Sequence, residues 1–302
     1  MRLCSVSVDL DEIGCYAQIH GLGSAGESSA VYDVAVARMA SFAADSSLPL
    51  TLFVIARDLS RPQNVETLRR LVAAGHEVGN HSLDHLYDLT RREESERTRQ
   101  VEIATNRLHA ALGVRPTGFR APGYTVTDEL LDTIQGSGLS YDSSVFPCPP
   151  YYAAKAARLV SMKLGGRSSG AILDTPRVLR APTTPYRVGR PFWTAGRGLL
   201  EMPIQVAGPL RMPFIGTSLT LLGPSGARLL TRSLLGTPFV NLELHGIDFL
   251  EARDVPDGLT AAQPDLRVPL TRKLDTFSAV LELLRKQGYA AVRLDEAARA
   301  FS

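Results

Sequence analysis

Long apolar runs are missing from this 302-residue chain. No window approaches the ~18 uninterrupted apolar residues of a membrane-spanning helix, so none is expected. The opening stretch MRLCSVSVDLDEIG meets an acid at position 9, which leaves no apolar core for a secretion signal; the expected location is cytoplasmic. Cysteine is scarce too. Cys4, Cys15 and Cys148 are odd in number, irregularly spaced and without a Cys-x-x-Cys pair, which excludes a disulfide framework and reads as buried, reduced thiols. Charge of one sign is also lacking: 33 Lys+Arg face 31 Asp+Glu for a formal +2. The basic residues read as scattered, so no nucleic-acid partner is expected.

What is present is a regular alternation of strand and helix patterns. CSVSVDL reads as a first strand ending at Asp9, followed by a helical pattern over 30–44 and the buried strand LPLTLFVIA. NVETLRRLVAAG reads as a helix closed by Gly75, HEVGN as a short strand, and REESERTRQVEIATNRLHAALG as a long helix closed by Gly113. TGFR, the helix TDELLDTIQGSG with Thr127 as N-cap, and LSYDSS continue the series. Residues 147–222 then carry most of the prolines and hold no regular period, which predicts an irregular Pro-rich cap within a single 1–302 domain. Its aromatics, Trp193, Phe192, Tyr151, Tyr152 and Tyr186, would either stack on sugar rings or form the small core of the cap. Regularity returns with a helix near GPSGARLLTRSLLG, the strand PFVNLEL, the helix TRKLDTFSAVLELLRKQG, the strand AAVRL and a terminal helix DEAARAF.

Alternating strands and helices favour a parallel sheet. Asp9, His81, Arg120, Asp142 and His245 each fall at or just past the C-terminal end of an expected strand. Barrel enzymes place their chemistry on that edge, so the expected fold is an α/β (β/α) barrel with fewer than eight complete units. In NHSLDH, His81 and His85 are four residues apart, and Asp9 and Asp11 are candidate partners if the first and third strands end at one rim. Two imidazoles with a carboxylate suit zinc, with manganese, cobalt or nickel as alternatives. Either aspartate could bind the metal while the other takes a proton from its water. His20, His76 and His109 lack such a context.

Five segments, SVDLDE, NHSLDH, FRAPGY, YDSS and LELHG, in this order over roughly residues 3–250, resemble the polysaccharide deacetylases of the NodB-homology type, carbohydrate esterase family 4. The resemblance implies that Asp9 is the general base, that Asp11, His81 and His85 bind the metal, that Arg120 holds the base, and that His245 is the general acid. It also implies a backbone N–H just past the proline, that of Gly123, for the oxyanion. Two departures stand out. Leu10 separates the two aspartates that the family sets side by side, which resembles a branch of non-polymer deacylases and makes Glu12 a further candidate. The fourth segment lacks the family's tryptophan, leaving Asp142 and Asp174 as candidate orienting acids.

The expected activity is metal-dependent removal of an N-acetyl or N-formyl group from an amino sugar or sugar-containing precursor, small or lipid-linked. A cytoplasmic location argues against cell-wall chitin or peptidoglycan. The alternatives are hydrolysis of a non-sugar amide by the same machinery, or a decayed carbohydrate-binding protein. PFIGTSLTLLG could touch a membrane surface, but it is too short to cross one and shows no cluster of basic residues.

Overall fold

In the computed structural model, residues 2–22, 28–173 and 175–302 are described; Asp174 lies outside them. The strands are β1 Arg2–Asp9, β2 Leu50–Val54, β3 Glu77–Asn80, β4 Gly118–Phe119, β5 Tyr141–Asp142, β6 Tyr186–Val188, β7 Ala195–Glu201, β8 Val206–Ala207, β9 Met212–Pro213, β10 Phe239–His245 and β11 Tyr289–Ala291. The helices are α1 Ile13–His20, α2 Val36–Asp45, α3 Pro62–Ala73, α4 Glu94–Leu112, α5 Asp128–Gly136, α6 Pro149–Leu164, α7 Gly216–Arg232, α8 Asp257–Ala262, α9 Leu270–Lys286 and α10 Leu294–Phe301.

The main sheet runs β10-β1-β2-β3-β4-β5-β7-β6, with β11 beside the start of β1. All its pairings are parallel except β6 with β7. Between β7 and β10 the wall is carried by irregular chain. Met202 and Ile204 donate to the carbonyls of Asp142 and Val145, while Gln205 donates to that of Asn241. The Asn241 amide seals the seam by donating to the carbonyls of Met202 and Pro203 at 3.0 and 3.1 Å. The result is a curled parallel sheet short of eight complete β/α units.

Strand alternation explains which side is which. Cys4, Val6 and Val8 of β1 join Leu50, Leu52, Val78, Leu242 and Leu244 in the aliphatic core beneath the helices. The opposite row faces the barrel interior, and there the register aligns Glu243, Ser7, Thr51 and Glu77, then His245, Asp9, Phe53 and Gly79. The interior is thus polar and aromatic. Two glycines admit its rings: a Cβ at Gly79 would meet Phe53 at 2.6 Å, and one at Gly118 would meet Tyr141 at 2.0 Å.

Residues 147–222 differ from their expected texture. α6 buries only Met162, so it leaves no amphipathic period to read, yet its two opening prolines occupy the turn where an N–H is least needed. β7 enters the barrel wall beside β5, and only β8 and β9 form a separate hairpin. Phe192 and Tyr186 are buried in a second core with Trp193 and Tyr152 against it, and the Tyr186 hydroxyl donates to the Phe192 carbonyl at 2.9 Å. Tyr151 instead faces the cavity described below. The helix over 13–20 had no counterpart in the sequence pattern; Glu12 caps it.

Candidate active site

The site lies on the C-terminal rim of β1, β3, β4 and β10. β1 delivers Asp9 and, just past it, Asp11. The turn after β3 delivers His81 and His85, and it is a strained one: Ser82 and His85 have φ of +65° and +55°, a region costly for non-glycine residues. Asn80 over-determines it. Its amide donates to the Val101 carbonyl and Thr105 hydroxyl of α4, while its oxygen accepts from Ser82 N at 2.8 Å. Ser82 Oγ in turn accepts from His85 N.

His81 Nε2 lies 3.2 Å from Asp11 Oδ1, and His85 Nε2 lies 3.3 Å from Asp11 Oδ2. His81 Nδ1 is 2.7 Å from the Arg120 carbonyl. A carbonyl only accepts, so Nδ1 carries the hydrogen and Nε2 turns its lone pair to the cleft. Asp11 Oδ1 and both ring nitrogens of His85 are buried and, among the described residues, make no hydrogen bond of ordinary geometry. Such unpaired buried polar atoms are costly unless another group satisfies them. A carboxylate and two imidazoles within 4.8 Å of one another can hold a divalent cation. Burial opposes the Asp11 charge, but the two histidines bring its carboxyl well below the usual range. Burial lowers His85, keeping it neutral, as a ligand must be.

Asp9 faces the same space, 3.9 Å from His81 Nε2. Its other oxygen accepts from Arg120 Nη1 at 2.7 Å. Arg120 is fully buried and each of its nitrogens donates: besides Nη1, Nε donates to the Ser143 carbonyl and Nη2 to the Ser7 and Ser143 hydroxyls, and the guanidinium carbon lies 4.2 Å from the centre of the Phe53 ring. Burial raises the Asp9 carboxyl, with Arg120 pulling the other way.

Opposite Asp9 stands His245, with Nε2 4.0 Å from Asp9 Oδ2 and 3.3 Å from the Tyr124 hydroxyl. Its Nδ1 is 2.8 Å from Glu243 Oε1. Burial disfavours the imidazolium, but the Glu243 carboxylate outweighs it and holds His245 well above its ordinary value. Glu243 is the residue the sequence reading missed. It precedes His245 by two in a strand, so the period of two places both on one face. Glu243→Gln should lower the His245 pKa, and a group that must be protonated to act then fails sooner as pH rises. We expect the rate to fall more at about pH 8 than at about pH 6, read from the alkaline limb of the pH profile.

The other candidate acids lie elsewhere. Glu12 accepts from the backbone of Ile13, Val31 and Tyr32, which makes it a cap. Asp142 accepts from Ser144 N and Oγ and pairs with Glu201, opposite it in the β5–β7 register. Burial, then Asp142, holds the Glu201 carboxyl well above its ordinary 4.5, and its protonated form is the one that can share a hydrogen with Asp142, while Oε1 accepts from Val145 N. A folded-state pKa raised in this way stabilises below the unfolded value and loses that contribution as pH climbs through the folded one. Glutamine reproduces both bonds. Glu201→Gln should therefore stay within about 1 kcal/mol of wild type and unfold with a flatter pH dependence above the unfolded glutamate's pKa, whereas Glu201→Ala should cost about 2–4 kcal/mol in denaturant titrations.

Asp9, Asp11, His81 and His245 open onto one cavity of about 380 Å³. Its walls include Tyr16, Ile19, Tyr87, Gly123, Tyr124, Tyr151 and Leu159.

Residues 32–141 match the family model described as polysaccharide deacetylase. A chitooligosaccharide deacetylase from Bradyrhizobium sp. (strain ANU 289) is 32% identical over 127 residues, which cover 42% of this chain and 57% of that protein. The match thus spans little more than half the length of that curated relative. Among solved structures, a Mycobacterium smegmatis protein assigned as a polysaccharide deacetylase aligns over 99% of this chain and 90% of its own, with a TM-score of 0.58 at 16% identity. The Xyl-CE4 domain of a multidomain xylanase from the hindgut metagenome of Trinervitermes trinervoides aligns over the same 99% and over 90% of its own chain, at a TM-score of 0.49 and 13% identity. The matched segment carries His81, His85 and Arg120; Asp9, Asp11 and His245 reach the site through the sheet. Over residues 32–141 the sequence is thus similar to the polysaccharide deacetylases, and over nearly the whole chain the fold is similar to that of the Mycobacterium smegmatis protein.

Proposed function

We propose that the protein is a divalent-metal-dependent amide hydrolase that removes an N-acetyl or N-formyl group from an amino sugar or a sugar-containing precursor. One observation carries this reading: a buried carboxylate held by Arg120 and an imidazole held by Glu243 face each other across 4.0 Å beside the Asp11, His81 and His85 cluster. Asp11, His81 and His85 would hold the cation, zinc first among manganese, cobalt and nickel. When bound, such a cation acidifies water and polarises a carbonyl.

The chain's own groups perform the proton work. Asp9, lifted by burial toward the working pH, takes the proton from the attacking water, and Arg120 keeps its second oxygen fixed. The backbone N–H of Gly123 offers a donor to the carbonyl oxygen as charge develops there. An amine leaves an amide carbon only when protonated, and His245, held cationic by Glu243, supplies that proton. The decayed-protein alternative would have no use for this complete set.

The test is release of acetate or formate from N-acetylated and N-formylated amino sugars, including chitooligosaccharides, lost with a chelator and restored by zinc, manganese or cobalt. Hydrolysis of simple non-sugar amides with no release from any sugar would transfer the proposal to that second substrate class.

A further inference from the structure

Exposed large hydrophobic side chains cluster in one part of the chain. Of nine among the described residues, seven lie between 160 and 229; the other two, Ile103 and Val114, are only 36% and 37% exposed. On α6, Val160 is 58% and Leu164 84% exposed, one turn apart on one face. Leu210, in the turn between β8 and β9, is 73% exposed, and Met212 of β9 is 39% exposed. α6 packs against β9, and α7 begins three residues beyond it. There Leu221 and Leu222, about half exposed, stand one turn past Thr217 and Ser218, which line the catalytic cavity. The apolar surface therefore borders the cavity mouth.

The segment that contains α6 is basic, although the chain as a whole reads as evenly charged. Residues 143–200 hold nine Lys and Arg against the single acid Asp174; Arg190 pairs with Asp132 and Arg177 lies over Trp193, so the cations beside the exposed apolar side chains are those of α6 and the turn after it. Lys155 and Arg158 of α6 line the cavity, Lys155 donating to the Gly123 carbonyl at 2.9 Å; Lys163 is exposed at the end of the helix, and Arg167, in the turn beyond it, is exposed while donating to the His20 carbonyl. Leucines set among cations suit a surface with an apolar interior and anionic headgroups. A second copy would bring an equally basic face against this one and be repelled.

We propose that this face docks onto an anionic lipid bilayer, with Leu164, Leu210 and Leu222 entering the headgroup boundary and the α6 cations meeting phosphates. The cavity mouth then opens at the membrane surface. Only the consequence that a surface-held substrate reaches Asp9 rests on the hydrolase reading; docking does not.

The experiment is co-sedimentation of the full chain with phosphatidylcholine vesicles and with phosphatidylcholine–phosphatidylglycerol vesicles. Binding to the mixed vesicles, weakened by salt and absent with phosphatidylcholine alone, is expected. The double substitution Leu164→Glu and Leu210→Glu should weaken binding by about tenfold or more without loss of fold or of hydrolysis of a soluble substrate, since both side chains lie in solvent. Asp9→Asn should still bind, which separates a failed docking surface from a failed active site. Three results would overturn the proposal: no sedimentation with mixed vesicles, sedimentation unchanged in the double variant, or a leucine-dependent dimer in the absence of lipid, which would give the face to a second copy.

Discussion

Asp9→Asn is expected to lower amide hydrolysis by roughly 10²–10⁴-fold, or about 3–5 kcal/mol in the barrier. Asparagine keeps the shape and can still accept from Arg120 Nη1, but it cannot take a proton. The substitution also leaves the buried Arg120 without its nearest counter-charge, which endangers stability by as much as about 3–5 kcal/mol. Arg120 retains Ser7, the Ser143 hydroxyl and carbonyl, and the Phe53 ring, so the loss should fall well short of that limit. Rate and stability must therefore be measured together. The expected variant is folded and holds metal as wild type does, yet is inactive. Turnover within about tenfold of wild type would remove Asp9 from the base role.

His81→Ala is expected to abolish metal retention on purification. Structural zinc sites gain about 10–16 kcal/mol from roughly four ligands, so one lost ligand should cost about a hundredfold or more in affinity. The imidazole also accounts for the 2.7 Å contact to the Arg120 carbonyl, so its loss loosens the strand that carries the arginine. His109→Ala is the control, since His109 is exposed on α4 and should leave metal content untouched. Elemental analysis of the two variants beside wild type decides the matter; full occupancy in His81→Ala would defeat the ligand assignment.

Most of the rim was legible because each of its residues ends a strand, and strand ends leave local marks. His81 and His85 follow the short strand β3, Asp9 closes the alternation of β1, and His245 sits between the strand FVNLEL and Gly246. What was hidden depends on register. Asp142 sits at a strand end like the others, but the β5–β7 pairing sets it beside Glu201 rather than His245. Glu243 was in plain view in LELHG, yet nothing local tells a barrel-facing glutamate from a solvated one; only closure of the sheet buries it. α6 was invisible for the opposite reason, because a helix with one buried residue carries no period.

β1 has a consequence for how the molecule is made. It leaves the ribosome well before its partners β10 and β11, which lie more than two hundred residues downstream. Until they emerge, the side of β1 that β10 will occupy stays unpaired, and Ser7 and Asp9 lack Glu243 and His245 beside them. Contacts of such span are slow to form and leave strand edges open to wrong partners. The centre of the barrel is thus also its kinetic bottleneck, and His245 is the last part of the site to arrive.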